Sequence, residues 1–340
     1  MSTLYGGIDL HSSNSYCGVI DGNDQWVKHR RIRNDLGDVK DFFSEHKKDL
    51  AGIVVESTYN GYWLIDGLME AGYKVVLGNP SKMGDYQGLK NQDDKTDTRW
   101  LAKMLRLGIV PEGYIYPKET RPLRDLLRRR MLFMNARNKI LNSMSNQFQT
   151  WLCTKIGKKE LVELSIEELY QLFGDNNLCI SANSGIEIIK TIDLQIKSIE
   201  RAVYGQMKSS PEFDRITVLP GIGKTLGMTI LMEVGSIDRF ATGKNYLSFC
   251  RLVESKRTSN NKSKGKGNSK CGNRILRWAY AEAAVHALKY PRINAYYQKI
   301  KKKKRPAAKA LAIIASKIAR ISYKVMKDPE FEYQEDKLFC

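Results

Sequence analysis

Three segments of the chain carry carboxylates in settings that suggest chemistry. Asp9 closes an apolar run in Gly6-Gly-Ile-Asp-Leu-His11, and Glu56 closes another in Ile53-Val-Val-Glu-Ser57. The third segment, Asp93-Asp94-Lys-Thr-Asp97, opens a helical pattern. There Asp94 and Asp97 are three apart and Asp93 and Asp97 four apart, so each pair shares a face. An acid at the end of a strongly apolar strand loses hydration and needs a donor or a cation beside it. Four carboxylates brought together repel one another unless divalent cations bridge them. Mg²⁺ favours such oxygens, and two ions about 4 Å apart can clamp both sides of a phosphoryl transfer. Taken singly, Asp93 and Asp94 also suit the cap of a helix, and Glu56 a strand-end bond to backbone.

A second set of residues suits phosphate. Leu219-Pro-Gly221-Ile-Gly223-Lys224 fits the turn of a helix-hairpin-helix, where glycines expose backbone N–H groups and the next helix offers its positive end. A P-loop is excluded, because Val218 stands where its first glycine belongs. Farther on lies the most basic loop of the chain, from Thr258 to Arg274, in which Lys262, Lys264, Lys266 and Lys270 alternate with glycine, serine and asparagine. Lys256 and Arg257 precede it, and Ser259 stands at its entrance. A hydroxyl in such a cationic field, with a metal nearby, can attack a phosphodiester.

The elements that must position these groups follow from periodicity. Apolar runs at 4–10, 16–21 and 26–33 read as a three-stranded antiparallel meander. A helix over 35–48, a buried strand over 51–56, a helix over 61–71, a strand over 74–78 and a helix opening at Asp94 complete the order β-β-β-α-β-α-β-α. That is the order of an RNase H-like mixed sheet with flanking helices. From Pro122 long helices take over. Leu127, Met134, Leu141 and Phe148 repeat every seven residues, and Ile189, Ile192, Ile196, Ile199 and Val203 alternate steps of three and four, as in a helical hairpin or coiled coil. Between them, 158–173 reads as one helix and 175–184 as a loop. The C-terminal part reads as mostly helical, with helices over 225–234, 246–252, 274–290 and 307–326 around the polar stretch 255–273, and the residues after Asp328 as a loosely held tail. The expected organisation is an α/β domain over 1–118, a helical coiled-coil linker over 119–210, an all-α domain over 211–327 and a tail over 328–340.

Charge follows the same division. The chain of 340 residues has 56 Lys and Arg against 37 Asp and Glu, a formal net charge of +19, with 42% hydrophobic residues. This is the balance of a folded protein that seeks a polyanion. Residues 1–110 are nearly neutral, with 14 basic and 15 acidic residues, whereas 255–305 hold 16 basic residues and one acid, Glu282. No run approaches the length of a membrane span, and the polar start lacks a signal-peptide pattern, so cytoplasmic residence is expected. The six scattered cysteines form no C-x-x-C pair, which argues against a zinc site or a disulfide framework.

Together these motifs resemble the DEDD transposases of the insertion-sequence 110 family, in the branch named after insertion sequence 1111. The matching pieces are Gly-Ile-Asp9-Leu-His, Val-Glu56-Ser-Thr, Asp94-Lys-Thr-Asp97 running into Arg-Trp-Leu-Ala102, Leu-Pro-Gly-Ile-Gly223, and Ser259 ahead of Gly-Asn-Ser-Lys-Cys-Gly-Asn273. The resemblance implies a RuvC-like N-terminal domain in which Asp9, Glu56, Asp94 and Asp97 hold Mg²⁺. It also implies a coiled coil that assembles protomers into a dimer or tetramer, and a C-terminal transposase domain. It assigns the serine nucleophile to Ser259, with Thr258 and Ser255 as the other hydroxyls nearby. A structured noncoding RNA would select donor and target DNA by pairing, in the cytosol of a bacterium or archaeon close to the nucleoid. Gly221, Gly223, Lys224, Lys256, Arg257, Lys262, Lys264, Lys266, Lys270 and Arg274 are the expected nucleic-acid contacts. Two other readings use the same residues: a Holliday-junction nuclease or DNA invertase, and a nucleic-acid-binding protein without catalysis. A sugar kinase or actin-like ATPase shares only the start at Gly-Ile-Asp9. If the 255–305 stretch makes 6–10 phosphate contacts, duplex affinity should fall by about 10³–10⁵ between 50 and 200 mM salt in anisotropy titrations.

Overall fold

A computed structural model describes residues 3–56, 58, 60–83, 93–253, 256–259, 262–266, 271–302, 306–334 and 339. The chain forms two compact units that divide after Lys118. In the first, strands β1 (Leu4–Leu10), β2 (Asn14–Ile20) and β3 (Trp26–Arg33) form the meander, followed by helix α1 (Leu36–Ser44), β4 (Leu50–Glu56), α2 (Tyr62–Glu70), β5 (Val75–Gly78), the short α3 (Pro80–Met83) and α4 (Asp94–Arg106). The sheet order is β3-β2-β1-β4-β5, with the first three strands antiparallel and β1, β4 and β5 parallel. This is the RNase H-like mixed sheet that the element order implied.

Alternation along the strands sorts the side chains between two faces. Ile8 and Leu10 of β1 and Ile53 and Val55 of β4 join Val39, Phe42 and Phe43 of α1 and Leu64, Ile65 and Leu68 of α2 in one core. Val54 points the other way and packs with Leu101 and Met104 of α4. Gly7 lies on that second face, where a Cβ would overlap the Thr98 carbonyl of α4. Its missing side chain lets the helix backbone rest directly on the strand. Buried Thr98 donates its hydroxyl to the Tyr16 carbonyl at 3.2 Å. Asp24, in the β2–β3 turn, takes Arg106 Nε at 2.7 Å and Lys103 Nζ at 3.0 Å. Contacts along its length thus hold α4 against β1 and β2.

The second unit is helical. Its elements are α5 (Arg121–Leu152), α6 (Lys158–Glu163), α7 (Ile166–Phe173), α8 (Asn176–Met207), α9 (Pro211–Thr217), α10 (Lys224–Val234), α11 (Gly243–Phe249), the hairpin β6 (Lys256–Ser259) and β7 (Lys262–Lys266), α12 (Arg274–Ala287), α13 (Pro291–Lys302) and α14 (Ala307–Lys327). Helices α5 and α8 run antiparallel within one chain: Arg130 pairs with Glu200, Arg137 with Asp193, and Gln147 Nε2 donates to the Leu178 carbonyl. Buried Leu127, Leu141 and Phe148 on α5, and Ile189, Ile196 and Val203 on α8, occupy the seams that the heptad steps marked.

Several sequence readings are corrected. The loop expected over 175–184 is the first part of α8, because Asp175 caps it by accepting from the N–H groups of Asn177 and Leu178. The single helix expected over 158–173 is two, divided where Ser165 and Glu168 form a reciprocal capping box. The polar stretch 255–273 contains a β-hairpin. Helix 274–290 ends at Ala287, and Pro291 starts α13, which carries Lys299, Lys301 and Lys302. The tail is not loose throughout: Phe339 is buried against Tyr296, and Phe331 and Tyr333 cover the helical core. Among the described residues no helix is long and apolar enough to cross a membrane.

Gly7→Ala should force α4 off the sheet. The expected cost is about 1–3 kcal/mol, the usual cost of overpacking. It is read as a lower urea midpoint, with loss of activity even where the variant stays folded.

Candidate functional site

Parallel pairing of β1 with β4 runs Gly7↔Val54 and Ile8↔Val55, so the next step sets Asp9 beside Glu56 at the carboxyl ends of both strands. Both carboxylates alternate onto the face that carries α4. At the start of α4, Asp93 is the N-cap and accepts from the Thr96 N–H at 2.7 Å; hydrogen bonds from the Thr96 side chain and then its backbone hold the carboxyl below the ordinary range. Asp94 and Asp97 occupy the first helical turn. His11 Nε2 lies 3.3 Å from Asp9 Oδ2 and 3.3 Å from Asp94 Oδ1, and the Arg31 guanidinium pairs with Asp94 Oδ2. The His11 carbonyl accepts from Asn34 Nδ2 at 2.9 Å and Asn60 Nδ2 at 3.1 Å, which fixes the turn leaving β1.

The electrostatics reflect this convergence. Asp9 is 6% exposed; burial, and then the charges of Asp94 and Asp97, push its carboxyl above the ordinary value, while His11 and Arg31 oppose the shift. Glu56 is raised by burial and then by Asp9 and Asp97. Asp97 is raised by burial and then by Asp93 and Asp94. Asp9, Glu56, Asp94 and Asp97 therefore share one field. Ligand atoms of Asp9, His11 and Asp94 lie within 4.8 Å of one another, close enough for one metal ion. Hard oxygen donors that resist ionisation when left to themselves are the chemistry a divalent cation satisfies.

Sequence reasoning missed His11 and Arg31. His11 carried a signal, since it follows Asp9 by two residues and so continues along the same face. Arg31 carried none: it reaches Asp94 only because β3 pairs with β2 in this register.

In the second unit, Ser259 is the last residue of β6 and pairs with Lys262 across the hairpin turn. Backbone places Lys256, Arg257 and Thr258 on β6 and Lys262, Lys264 and Lys266 on β7, while the side chains of these residues, and all of Ser255 and Lys270, lie outside the described residues. After the hairpin, Asn273 caps α12 by accepting from the N–H groups of Ile275 and Leu276, and its Nδ2 donates to Glu233 Oε2 at 2.7 Å. Glu233 is 2% exposed and also takes Arg128 Nε at 2.6 Å and Arg124 at 3.2 Å. Burial alone would raise its carboxyl; Arg128, Arg124 and Asn273 bring it below the ordinary value. This cluster ties α5 and α10 to the residue where the hairpin segment returns to helix. Arg274, the first residue of α12, is exposed.

The Pro-Gly-Ile-Gly turn divides its glycines between two tasks. Gly221, at φ +81°, is buried where a Cβ would overlap the Ala283 carbonyl of α12, so only glycine fits this close approach. Gly223 is exposed at the N-cap of α10 and makes no side-chain cap bond. Exposed Lys224 follows, with Nζ 4.2 Å from the Tyr204 ring.

Two outcomes follow from these clusters. In EDTA, the carboxyls of Asp9, Glu56 and Asp97 favour the fold while protonated and cost stability as pH rises through their raised folded values. Asp9→Asn should therefore raise the thermal midpoint at pH 8 by a few degrees and have less effect at pH 4, as followed by calorimetry. Removing Glu233 should cost about 3 kcal/mol, the low end for breaking a buried ion pair, because Arg128 is 42% exposed. Urea unfolding of Glu233→Ala measures that loss.

Residues 6–151, which contain the four converging carboxylates, match the DEDD transposase model of the IS110 type. Residues 214–298, which contain the hairpin and the Pro-Gly-Ile-Gly turn, match the transposase IS116/IS110/IS902 family. No curated protein matches the chain. With a mixed sheet that gathers Asp9, Glu56, Asp94 and Asp97 at one end, and both family regions present in order, the chain belongs to the IS110 family of DEDD transposases and is an enzyme that recombines DNA.

Proposed function

We propose that this transposase moves its own insertion sequence by serine-linked strand exchange under the direction of a structured RNA. The observation that carries the reading is the shared field of Asp9, Glu56, Asp94 and Asp97 at the carboxyl ends of β1 and β4. These residues, with His11 beside Asp9 and Asp94, would hold Mg²⁺. Bound there, the metal supplies charge neutralisation at the scissile phosphate and lowers the cost of the attacking and leaving oxygens.

The steps assigned to the chain's own residues balance without an external energy source. Ser259 Oγ loses its proton and attacks phosphorus, forming a phosphoserine P–O bond while the P–O bond to one sugar oxygen breaks and that oxygen takes up a proton as a free hydroxyl. The hydroxyl of the exchanging strand then attacks the same phosphorus, restoring a phosphodiester and returning Ser259. Lys256, Arg257, Lys262, Lys264, Lys266, Lys270 and Arg274 neutralise backbone charge, as the net charge of +19 favours. Base choice falls to RNA–DNA pairing, consistent with a chain rich in backbone-directed cations and without a base-reading motif. In this reading more than one copy of the chain assembles, so that one protomer's carboxylates can serve a partner's serine.

A denaturing gel tests the proposal with purified protein, the element's flanking RNA, junction DNA and Mg²⁺. A covalent protein–DNA adduct is expected with wild type, lost in Ser259→Ala and reduced at least about 100-fold in Asp9→Asn or Asp94→Asn. An adduct that survives Ser259→Ala moves the nucleophile elsewhere. DNA cut with no adduct in either protein makes a hydrolytic RuvC-like nuclease the correct reading, and metal-independent binding without cutting makes it a binding protein.

A further inference from the structure

Between α5, α10 and α12 the second unit has an open cleft of about 660 Å³, of whose lining the steps above use only Arg274. Its volume lies within the range of about 300–1,000 Å³ typical of small-ligand sites. The apolar lining includes an aromatic ring: Met131 and Met134 of α5, Leu226 of α10 and the half-buried Trp278 of α12. Met134 belongs to the heptad series of α5, yet it lines this cleft where a seam residue would be expected.

The remaining lining is polar and carries more cations than acids. Arg130, Lys224 and Arg274 stand against one carboxylate, Glu282, and His286 adds a further imidazole. Arg130 is held in place by Glu200 at 2.5 Å, and Lys224 by the Tyr204 ring. Asn135 and Asn138 present amides that can both donate and accept. Gly223 puts no side chain over the start of α10, where a Cβ would meet open space.

From this arrangement we infer that the cleft takes a single unpaired nucleotide, its base against Trp278 and the two methionines and its phosphate at Lys224 and Arg274. Aromatic and thioether surface suits a base face, the amides suit a base edge, and the cations suit a phosphate. An apolar peptide would supply no anion for Lys224 and Arg274, and a metal ion would find one carboxylate in the lining. The inference rests on the chain being a nucleic-acid enzyme, and it adds a recognition step that pairing cannot supply: capture of one nucleotide that is bulged or flipped out of a helix.

Anisotropy with the full-length protein tests this. The probes are an RNA hairpin and a DNA duplex, each with a single-nucleotide bulge, compared with the same molecules carrying an abasic spacer at the bulge and with fully paired controls. Wild type should bind the bulge about tenfold more tightly than the abasic form, within the range of base–aromatic stacking. Trp278→Leu, which fills the wall without a ring, should lose the preference, and Trp278→Phe should keep most of it. A 5-iodouridine at the bulge should crosslink to Trp278, Met131 or Met134, which keeps the test valid if Trp278→Leu fails to fold. Preference in the RNA arm assigns the nucleotide to the guide, and preference in the DNA arm to a flipped DNA base. Equal affinity for bulged and abasic probes, or a crosslink mapping outside the cleft, overturns the inference. Because paired-duplex binding and the serine adduct are scored separately, those results leave the proposed recombination standing or falling on its own.

Discussion

Repulsion among Asp9, Glu56, Asp94 and Asp97 is the constraint around which the first unit is organised. Left in water these groups would separate; here strand register, alternation and helix docking bring them together. Burial raises Asp9, Glu56 and Asp97 and their mutual charges raise them further, so the fold carries a local destabilisation. His11 and Arg31 offset part of it. The rest of the unit supplies what holds the groups in place: an apolar core under one face of the sheet, and on the other a helix whose backbone meets Gly7 directly. That is the expected pattern of a site whose chemistry is set against stability.

The second unit addresses a different electrostatic demand. Its excess positive charge must remain outside for a polyanion, while the helices still need partners within. Acidic side chains are accordingly used at structural joints: Glu200 and Asp193 hold α8 to α5, and Glu233 joins α5, α10 and the α12 cap. Buried Leu127, Leu141, Ile189 and Ile196 of the heptad series pack within one chain, along the antiparallel α5–α8 pair.

Much of this was legible in the sequence, and for identifiable reasons. An apolar run that ends in an acid marks both a strand and a candidate site, so Asp9 and Glu56 stand out from pattern alone. The amphipathic opening at Asp94 likewise declared α4. What escaped depended on pairing that sequence does not display. Arg31 reaches Asp94 across strands. The α5 position of Met134 reads as a seam and is in fact a cleft wall. The close packing of Gly221 was equally hidden, because α12 approaches it from more than fifty residues away. The start of α8 is hidden for a local reason: a polar Asn-rich stretch reads as loop unless the Asp175 cap is given its weight.

The most direct test of the central claim is Mn²⁺ binding to the full-length protein, followed by electron paramagnetic resonance at neutral pH without nucleic acid. If the four carboxylates form one cation site, wild type removes free Mn²⁺ from solution, Mg²⁺ competes it off, and Asp9→Asn or Asp94→Asn abolishes the binding while circular dichroism shows the fold intact. Binding of equal strength in both variants would contradict the account, since the ion would then be held elsewhere.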